Sequence, residues 1–580
     1  MARTALNAAA RTAALAEMTS EPLDVLVVGG GVTGAGIALD AATRGLRTGI
    51  VEARDWAGGT SQWSSKLVHG GLRYLYQLNF PLVAEALKER GLLLTRTAPH
   101  LVKPQPFLWP LKTAVVERGY SAIGVGMYDV LSQFGGGGKN AVPNQKHYSK
   151  EGALGLFPGI REDALVGAIR FYDARVDDAR LVIDLVRTAQ GYGALAASRT
   201  RVTGFVKEGE RVVGARVRDE ESGEELEVRA RYVLNATGVW TQQTQDLATR
   251  DGGLKVLASK GIHIVVPKHR IDGETGLFLR TEKSVLFIIP WDRYWVIGTT
   301  DTAWHEDIDH PVATRADIDY VLEQANEVLA DPLTRSDILG TYAGLRPLLQ
   351  PKGADDSAKV SREHTVTEVA PGMCAIAGGK LTTYRVMAED AVDFALERGF
   401  AGEGFGACLT ESTPLVGASG YPAWQAQKER VAQEEGMTSE TVQHLLDRYG
   451  DELPTLLDLM EQQPSLRRPL AQAPAYLRAE VVFAVTHEGA LHLEDVLRHR
   501  IRLDYEMRDR GACTLDEIGE LVAPLLGWDE ARTEAEKAAY RARVEGEAAA
   551  EEQDDDASAV QARTSVGDAD DPTRTTRSAR

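Results

Sequence analysis

The first clear apolar run, Val25-Leu26-Val27-Val28, leads into Gly29-Gly30-Gly31-Val32-Thr33-Gly34 and then an alanine-rich stretch, which predicts a strand, a glycine turn and a helix. Thr48-Gly49-Ile50-Val51 predicts a second strand ending at Glu52. Between Asp178 and Gln190 the apolar residues Leu181, Ile183, Leu185 and Val186 predict a helix, with Asp177 as its cap. That helix feeds a strand at Arg201–Val206. Alternation from Arg211 to Arg218 and from Glu224 to Arg229 predicts an antiparallel insertion, and Arg231-Tyr232-Val233-Leu234-Asn235 a strand able to rejoin the first sheet. Between about 245 and 350, Ile262–Val266, Val285–Ile289 and Tyr294–Asp301 predict a second, antiparallel layer. From about 410 the period becomes helical: Ser439 is placed to cap a segment whose Val442, Leu445, Leu446 and Tyr449 share one face before Gly450 stops it.

The two ends carry no such pattern. Residues 1–20 contain alanine with Arg3, Arg11 and Glu17 but no sustained Leu/Val/Ile run, and are expected to form a flexible arm rather than a signal peptide. Residues 546–580 lack aliphatic or aromatic clusters, so ordering them is not expected to be repaid by burial, and a disordered acidic tail is predicted.

Composition narrows the class. With 580 residues and 43% hydrophobic content the chain can bury a large core spread over several domains. A net charge of −19 disfavours nonspecific attraction to nucleic acid. Cys374, Cys408 and Cys513 are too few and too scattered for a disulfide framework or an iron–sulfur cluster, which fits a cytoplasmic protein. No apolar stretch approaches the roughly 18–20 residues of a membrane-spanning helix, so membrane contact is expected to be peripheral. Asp177 and Asp178 could suggest a metal site, but no complete ligand set accompanies them and a helix start is preferred.

The chemistry begins in the glycine turn. Gly29, Gly31 and Gly34 have G-x-G-x-x-G spacing, which supplies a tight turn, backbone access to a pyrophosphate and close helix–strand packing in a Rossmann-like unit, with Thr33 inside the same loop. Glu52 stands where a carboxylate can accept from ribose hydroxyls. Thr60, Ser61, Ser64, Ser65 and Lys66 form a polar loop suited to phosphate and flavin contacts, against the plainer reading of a solvated loop. Gly379, Lys380, Leu381 and Thr382 open a further helix, and the positive end of a helix beside a flavin stabilises charge on the reduced ring. Arg498, His499, Arg500 and Arg502 form a basic cluster, read as an internal docking element rather than a lipid-headgroup contact.

The run Ser64 to Tyr74 resembles the signature of the FAD-dependent glycerol-3-phosphate dehydrogenases of the aerobic, quinone-linked type. The resemblance continues, in that family's order over about residues 22–530, at Val176–Val182, Asn235–Gly238, Lys260–Pro267, Gly298–Asp301, Gly344–Pro347 and Gly378–Arg385. It implies an α/β fold: a glutathione-reductase-type FAD-binding domain, an antiparallel β substrate domain and a helical C-terminal domain. The corresponding division is 21–405 for the FAD-binding domain (mainly 21–80, 170–245 and 355–405), interleaved with a substrate domain (mainly 81–169 and 246–354), then 406–545 for the helical cap.

The implied activity is oxidation of sn-glycerol 3-phosphate to dihydroxyacetone phosphate, with hydride passing from C2 to flavin N5 and electrons passed to a quinone, as in glycerol catabolism. A dianionic substrate calls for several cations. Arg346 and Arg362 are assigned to the phosphate or hydroxyl side, with Arg73, Tyr74, Lys380 and His263 completing the pocket and Gly238 joining the cofactor set. His69 or His263 can be the base. Two other readings keep the flavin: a glycerol-3-phosphate oxidase releasing hydrogen peroxide, and a non-enzymatic flavin-binding metabolite sensor. A peripheral place on the cytoplasmic face of the membrane is compatible with this, and a homo-oligomer is left open. The arm before Glu21, the Gly135–Gly138 loop and the tail have no counterpart in the resemblance.

Overall fold

The computed structural model describes residues 5–71, 79–113, 141–249, 253–281, 285–350 and 364–567. Two sheets organise the first two thirds of the chain. The first has eight strands: β1 (Leu23–Val28), β2 (Thr48–Val51), β7 (Leu195–Ala197), β8 (Thr200–Glu208), β9 (Arg211–Asp219), β10 (Glu225–Asn235), β17 (Thr365–Ala370) and β18 (Met373–Ala377). Its main path runs β17-β18-β10-β1-β2-β7, parallel from β18 to β7. The near-continuous apolar runs of β1 and β10 suit strands covered on both faces. The helix Val32–Thr43 packs on the sheet through Ala35, Ile37, Ala38, Leu39 and Ala41, with the helix Asp178–Gly191 in the same core. That second helix is capped as expected, Asp177 accepting from the Arg180 amide at 3.3 Å.

The antiparallel insertion is present as β8-β9-β10, with one difference. The alternating run from Glu224 and the apolar run at Arg231 form a single strand, β10, whose first half pairs with β9 and whose second half pairs with β1.

The second sheet has ten strands: β3 (Leu67–Val68), β4 (Val102–Leu111), β5 (Lys146–Ser149), β6 (Gly167–Val176), β11 (Val256–Pro267), β12 (Gly276–Arg280), β13 (Val285–Trp291), β14 (Tyr294–Gly298), β15 (Thr302–Trp304) and β16 (Gly340–Leu349). All its pairings are antiparallel except β4 with β12. A division at 169/170 cuts through β6, and β3 also belongs here, so both depart from the expected boundaries. The reason is that β6 pairs along its whole length with β4, from Val176↔Val102 to Gly167↔Leu111.

From Tyr421 onward the described chain is mainly helical, around two apolar clusters. In the helix Ser439–Tyr449, Val442, Leu445, Leu446 and Tyr449 are buried and Gly450 ends it at φ +54; the cap is Thr438 rather than Ser439. The basic cluster is internal: Arg500 is fully buried and pairs with Asp55 at 2.6 Å, and Arg502 reaches Asp177 at 3.3 Å. Burial works to raise the Asp55 pKa, but Arg500 and His499 overcome it and hold the carboxyl well below its usual range.

Both termini differ from expectation. Residues Ala8–Ser20, anticipated as part of a flexible arm, form a helix capped by Asn7. Arg11, Ala14, Leu15 and Met18 are its buried residues, and Arg11 pairs with Asp219. Met18 is fully buried among Leu23, Leu26 and Phe205. Much of the anticipated tail is also helical: Glu530–Glu551 runs past Gly546, and Asp556–Gly567 follows it. No helix of the described residues is long and apolar enough to cross a membrane.

Because Met18 is enclosed, its truncation removes packed methylenes and leaves a cavity. Met18→Ala is expected to cost about 2–5 kcal/mol, read as a lower midpoint in urea unfolding of the FAD-loaded protein. An unchanged midpoint would show that the helix does not pack as described.

Candidate active site

A cavity of about 510 Å³ runs between the two sheets. At one end β1 meets the glycine turn. Gly29 has φ +110, and a side chain there would meet the Ala236 carbonyl at 2.7 Å. A Cβ on Gly34 would lie 1.9 Å from the Gly29 carbonyl oxygen, so only glycine lets the helix Val32–Thr43 come this close to the strand. Ser61 Oγ accepts from the Val32 amide at 2.9 Å, joining the second polar loop to the start of that helix. Glu52 accepts from the Gly30 amide at 2.6 Å and from the Arg54 amide at 2.8 Å, which fixes the carboxylate in the cavity wall while leaving lone pairs for a ribose.

Of the expected cofactor residues, Gly29, Gly31, Thr33, Glu52, Thr60, Ser61, Ser64, Ser65, Gly238, Gly379, Lys380 and Leu381 line this cavity. Three do not. Gly34 stands behind the wall as a packing residue. Lys66 is 2% exposed and pairs with Asp178 at 2.7 Å, so its ammonium is used inside the fold rather than on a phosphate. Burial outweighs Lys66 and pushes the Asp178 carboxyl up to about 6. Thr382 is 1% exposed and donates to the His69 carbonyl at 3.1 Å, bracing His69 from behind.

Sequence motifs missed the wall around Trp240, Gln243, Thr244, Leu247, Thr200 and Val202. There Asp309 accepts from Arg54 at 2.8 Å and from Trp240 Nε1 at 2.7 Å, and the Arg54 guanidinium lies 5.1 Å from the Trp240 ring centre. The signal available was the run Gly238-Val239-Trp240 after a sheet strand, which does not by itself distinguish a wall from a core.

The same cavity also holds the groups with reactive potential. His69, His263, Arg346 and Lys380 all line the cavity. β11 and β16 position two of them, in a register that sets Ser259 opposite Arg346 and His263 opposite Tyr342. Arg346 donates to Thr299 Oγ1 at 3.0 Å and the Thr300 carbonyl at 3.1 Å, and pairs with Asp301 at 3.3 Å. Gly261 leaves it room, since a Cβ there would lie 2.4 Å from its Nη2. His263 stacks on Tyr342 with ring centres 4.7 Å apart, and its Nε2 is 2.9 Å from Ser65 Oγ. Burial first, then Arg346 and Lys66, hold its imidazole well below the ordinary value, so the ring is neutral at neutral pH. Lys380 precedes the turn Leu381–Thr383 and the helix Tyr384–Gly399, which buries Met387 and Ala391. Met387 is 3% exposed, is part of the core, and reaches the cavity edge. Arg73, Tyr74 and Arg362 lie outside the described residues.

These groups fit FAD: glycine-bounded space at a helix start, a fixed carboxylate after the second strand, and further polar groups near a second helix start in the same cavity. Asp55, Asp495 and His499 also lie within 4.8 Å of one another, but Arg500 and Arg199 neutralise the two carboxylates, making an interdomain ion network.

The family described as FAD dependent oxidoreductase matches residues 24–389, and the C-terminal domain of alpha-glycerophosphate oxidase matches 408–533. The chain is 51% identical over 565 residues to glycerol-3-phosphate dehydrogenase 2 of Mycobacterium tuberculosis, covering 97% of this chain and 95% of that one. It is 34% identical over 533 residues to the human mitochondrial glycerol-3-phosphate dehydrogenase, covering 88% and 71%. A solved glycerol-3-phosphate dehydrogenase from Bacillus halodurans, complexed with FAD, superposes with a TM-score of 0.75 at 28% identity, covering 93% of this chain and 97% of that one.

Glu52→Ala is expected to weaken FAD binding at least about tenfold, roughly 1.4 kcal/mol, because both backbone bonds that shape the loop are lost with the carboxylate. Flavin retained through gel filtration measures this, and unchanged affinity would remove the ribose role. Gly34→Ala is expected to yield protein without flavin; a yellow Gly34→Ala variant would show that the helix can retreat without losing the site.

Proposed function

The chain belongs to the FAD-dependent glycerol-3-phosphate dehydrogenase family, and on that premise we propose that it oxidises sn-glycerol 3-phosphate to dihydroxyacetone phosphate and passes the electrons to a quinone. The observation that carries this reading is that Arg346, Lys380, His263 and His69 line the same cavity as the glycine loop and Glu52.

In this reading Arg346 and Lys380 hold the anionic substrate, with Thr299, Thr300 and Asp301 fixing the arginine fork before substrate arrives. FAD supplies the acceptor for the C2 hydrogen and its electron pair. His263 takes the C2 hydroxyl proton as the carbonyl forms. It is preferred to His69 because Tyr342 stacking and Ser65 hold a neutral ring in place. Ser65 can share the acquired proton through its hydroxyl. The turn before the helix Tyr384–Gly399 brings the positive end of a helix dipole to the same region. Delivery to a quinone calls for a peripheral position on the cytoplasmic face of the membrane.

A second reading has oxygen as acceptor, favoured by the match of residues 408–533 to a glycerophosphate oxidase domain. Anaerobic mixing with glycerol 3-phosphate is expected to bleach the flavin, and a soluble quinone to restore it faster than oxygen does. Faster recovery with oxygen and stoichiometric peroxide would favour the oxidase, and a flavin that stays oxidised would end both readings.

Arg346→Ala is expected to raise the KM for glycerol 3-phosphate by about a hundredfold, from loss of a charge-assisted contact of about 3 kcal/mol, while FAD stays bound. Loss of FAD instead would refute the substrate role. For His263 the folded pKa lies below the free value of about 6.5, so the base stays unprotonated as pH falls through that value. After correction for the substrate's own phosphate titration, kcat/KM is expected to hold through pH 6.5 and to decline only at lower pH. A fall centred at or above 6.5 would contradict a buried neutral base.

A further inference from the structure

The helical hairpin formed by Glu530–Glu551 and Asp556–Gly567 lies largely beyond residue 533, where the C-terminal family match ends. Its acidic side chains nevertheless reach the strands that carry the active-site groups. Lys260 Nζ, on a residue 1% exposed, lies between Asp317 at 2.5 Å and Asp556 of the second helix. Glu551 accepts from the Thr341 hydroxyl and pairs with Arg510 at 2.7 Å, and Arg510 donates to the Thr341 carbonyl at 3.3 Å. The Gln553 carbonyl accepts from the Arg315 amide at 2.7 Å. Ala550 and Ala559 are fully buried with Val239, Trp304, Val312 and Leu345. The hairpin is therefore anchored by apolar packing as well as by charge.

These anchors fall on the active-site strands. Lys260 on β11 immediately precedes the cavity residue Gly261 and is three positions before His263. Thr341 and Leu345 lie on β16, which carries Arg346. In the β11–β16 register Lys260 faces Leu345, and Ser259 faces Arg346. Ser259 Oγ also donates to Asp301 at 2.5 Å, and Asp301 pairs with Arg346 at 3.3 Å. A shift of β11 at Lys260 thus moves both the strand beside Arg346 and the serine that orients its carboxylate partner. A buried ammonium that loses one of two carboxylates must draw in water or move toward the other, and either response displaces β11.

We propose that Asp556 is a positioning residue for the substrate end of the cavity: through Lys260 it clamps β11 against β16 and so sets where Arg346 presents its guanidinium. This rests on the reading above that Arg346 holds the substrate anion. A hairpin that only adds stability would lower the unfolding temperature without moving substrate affinity.

The test uses the FAD-loaded full chain carrying Asp556→Asn, with Asp556→Glu and a chain ending at residue 552 as companions. Two quantities are read: the KM and kcat for glycerol 3-phosphate, and amide hydrogen exchange across 257–263 and 341–347. Asp556→Asn and the shortened chain are expected to raise KM by about tenfold with a smaller change in kcat, to keep their flavin, and to exchange faster in both strands. Asp556→Glu is expected to return both quantities toward the parent. Parent-like KM and exchange in the folded Asp556→Asn variant would overturn the clamp, even if its unfolding temperature fell. Should the parent flavin not respond to glycerol 3-phosphate, it is the function reading that fails, and strand exchange still decides the clamp.

Discussion

The antiparallel pairing of β11 with β16 is the constraint on which the site depends. It runs in continuous register from Val256↔Leu349 to Val265↔Gly340 and brings a histidine and an arginine from distant parts of the chain to one cavity. Side chains alternate across a strand, so a one-residue slip of either strand would turn its own group, His263 on β11 or Arg346 on β16, to the opposite face from the other. Neighbouring features protect the pairing. Gly261 clears space for the arginine fork, Tyr342 stacks on His263, and β14 covers the far half of β11.

The two sheets divide the work. In the proposed reading the parallel sheet supplies the cofactor end, with glycine required at Gly34, and Lys380 after β18, while the antiparallel sheet supplies Arg346 and the His263 imidazole. Buried ion pairs brace the elements around them. Lys66 with Asp178 fixes the polar loop, and Arg500 with Asp55 ties the C-terminal helices to the FAD-binding sheet. Breaking one partner of such a pair costs about 3–5 kcal/mol because a lone charge stays buried.

Much of this was legible in the chain because the relevant signals are local. The strand–glycine–helix unit, the terminal Glu52 and the insertion β8-β9-β10 each declare themselves within a few residues. The resemblance carried the assignment of Arg346, Lys380 and His263, which spacing alone could not bring together. What stayed hidden depended on distant partners. Lys66 looked like a phosphate ligand until Asp178 came to cover it. The N-terminal helix had a readable stripe in Arg11, Ala14, Leu15 and Met18, but the surrounding alanines blurred it. The C-terminal hairpin offered almost no apolar signal because its order depends on Trp304, Leu345 and Lys260, far back in the sequence.

The claim that one strand pair delivers both the anion contact and the base is tested most directly by a crystal structure of the oxidised, FAD-loaded protein with dihydroxyacetone phosphate bound. The account predicts phosphate oxygens within hydrogen-bond reach of Arg346 and the C2 oxygen about 2.6–3.2 Å from a ring nitrogen of His263. A ligand ordered elsewhere, or one whose C2 oxygen is remote from His263 while its phosphate avoids Arg346, would contradict it.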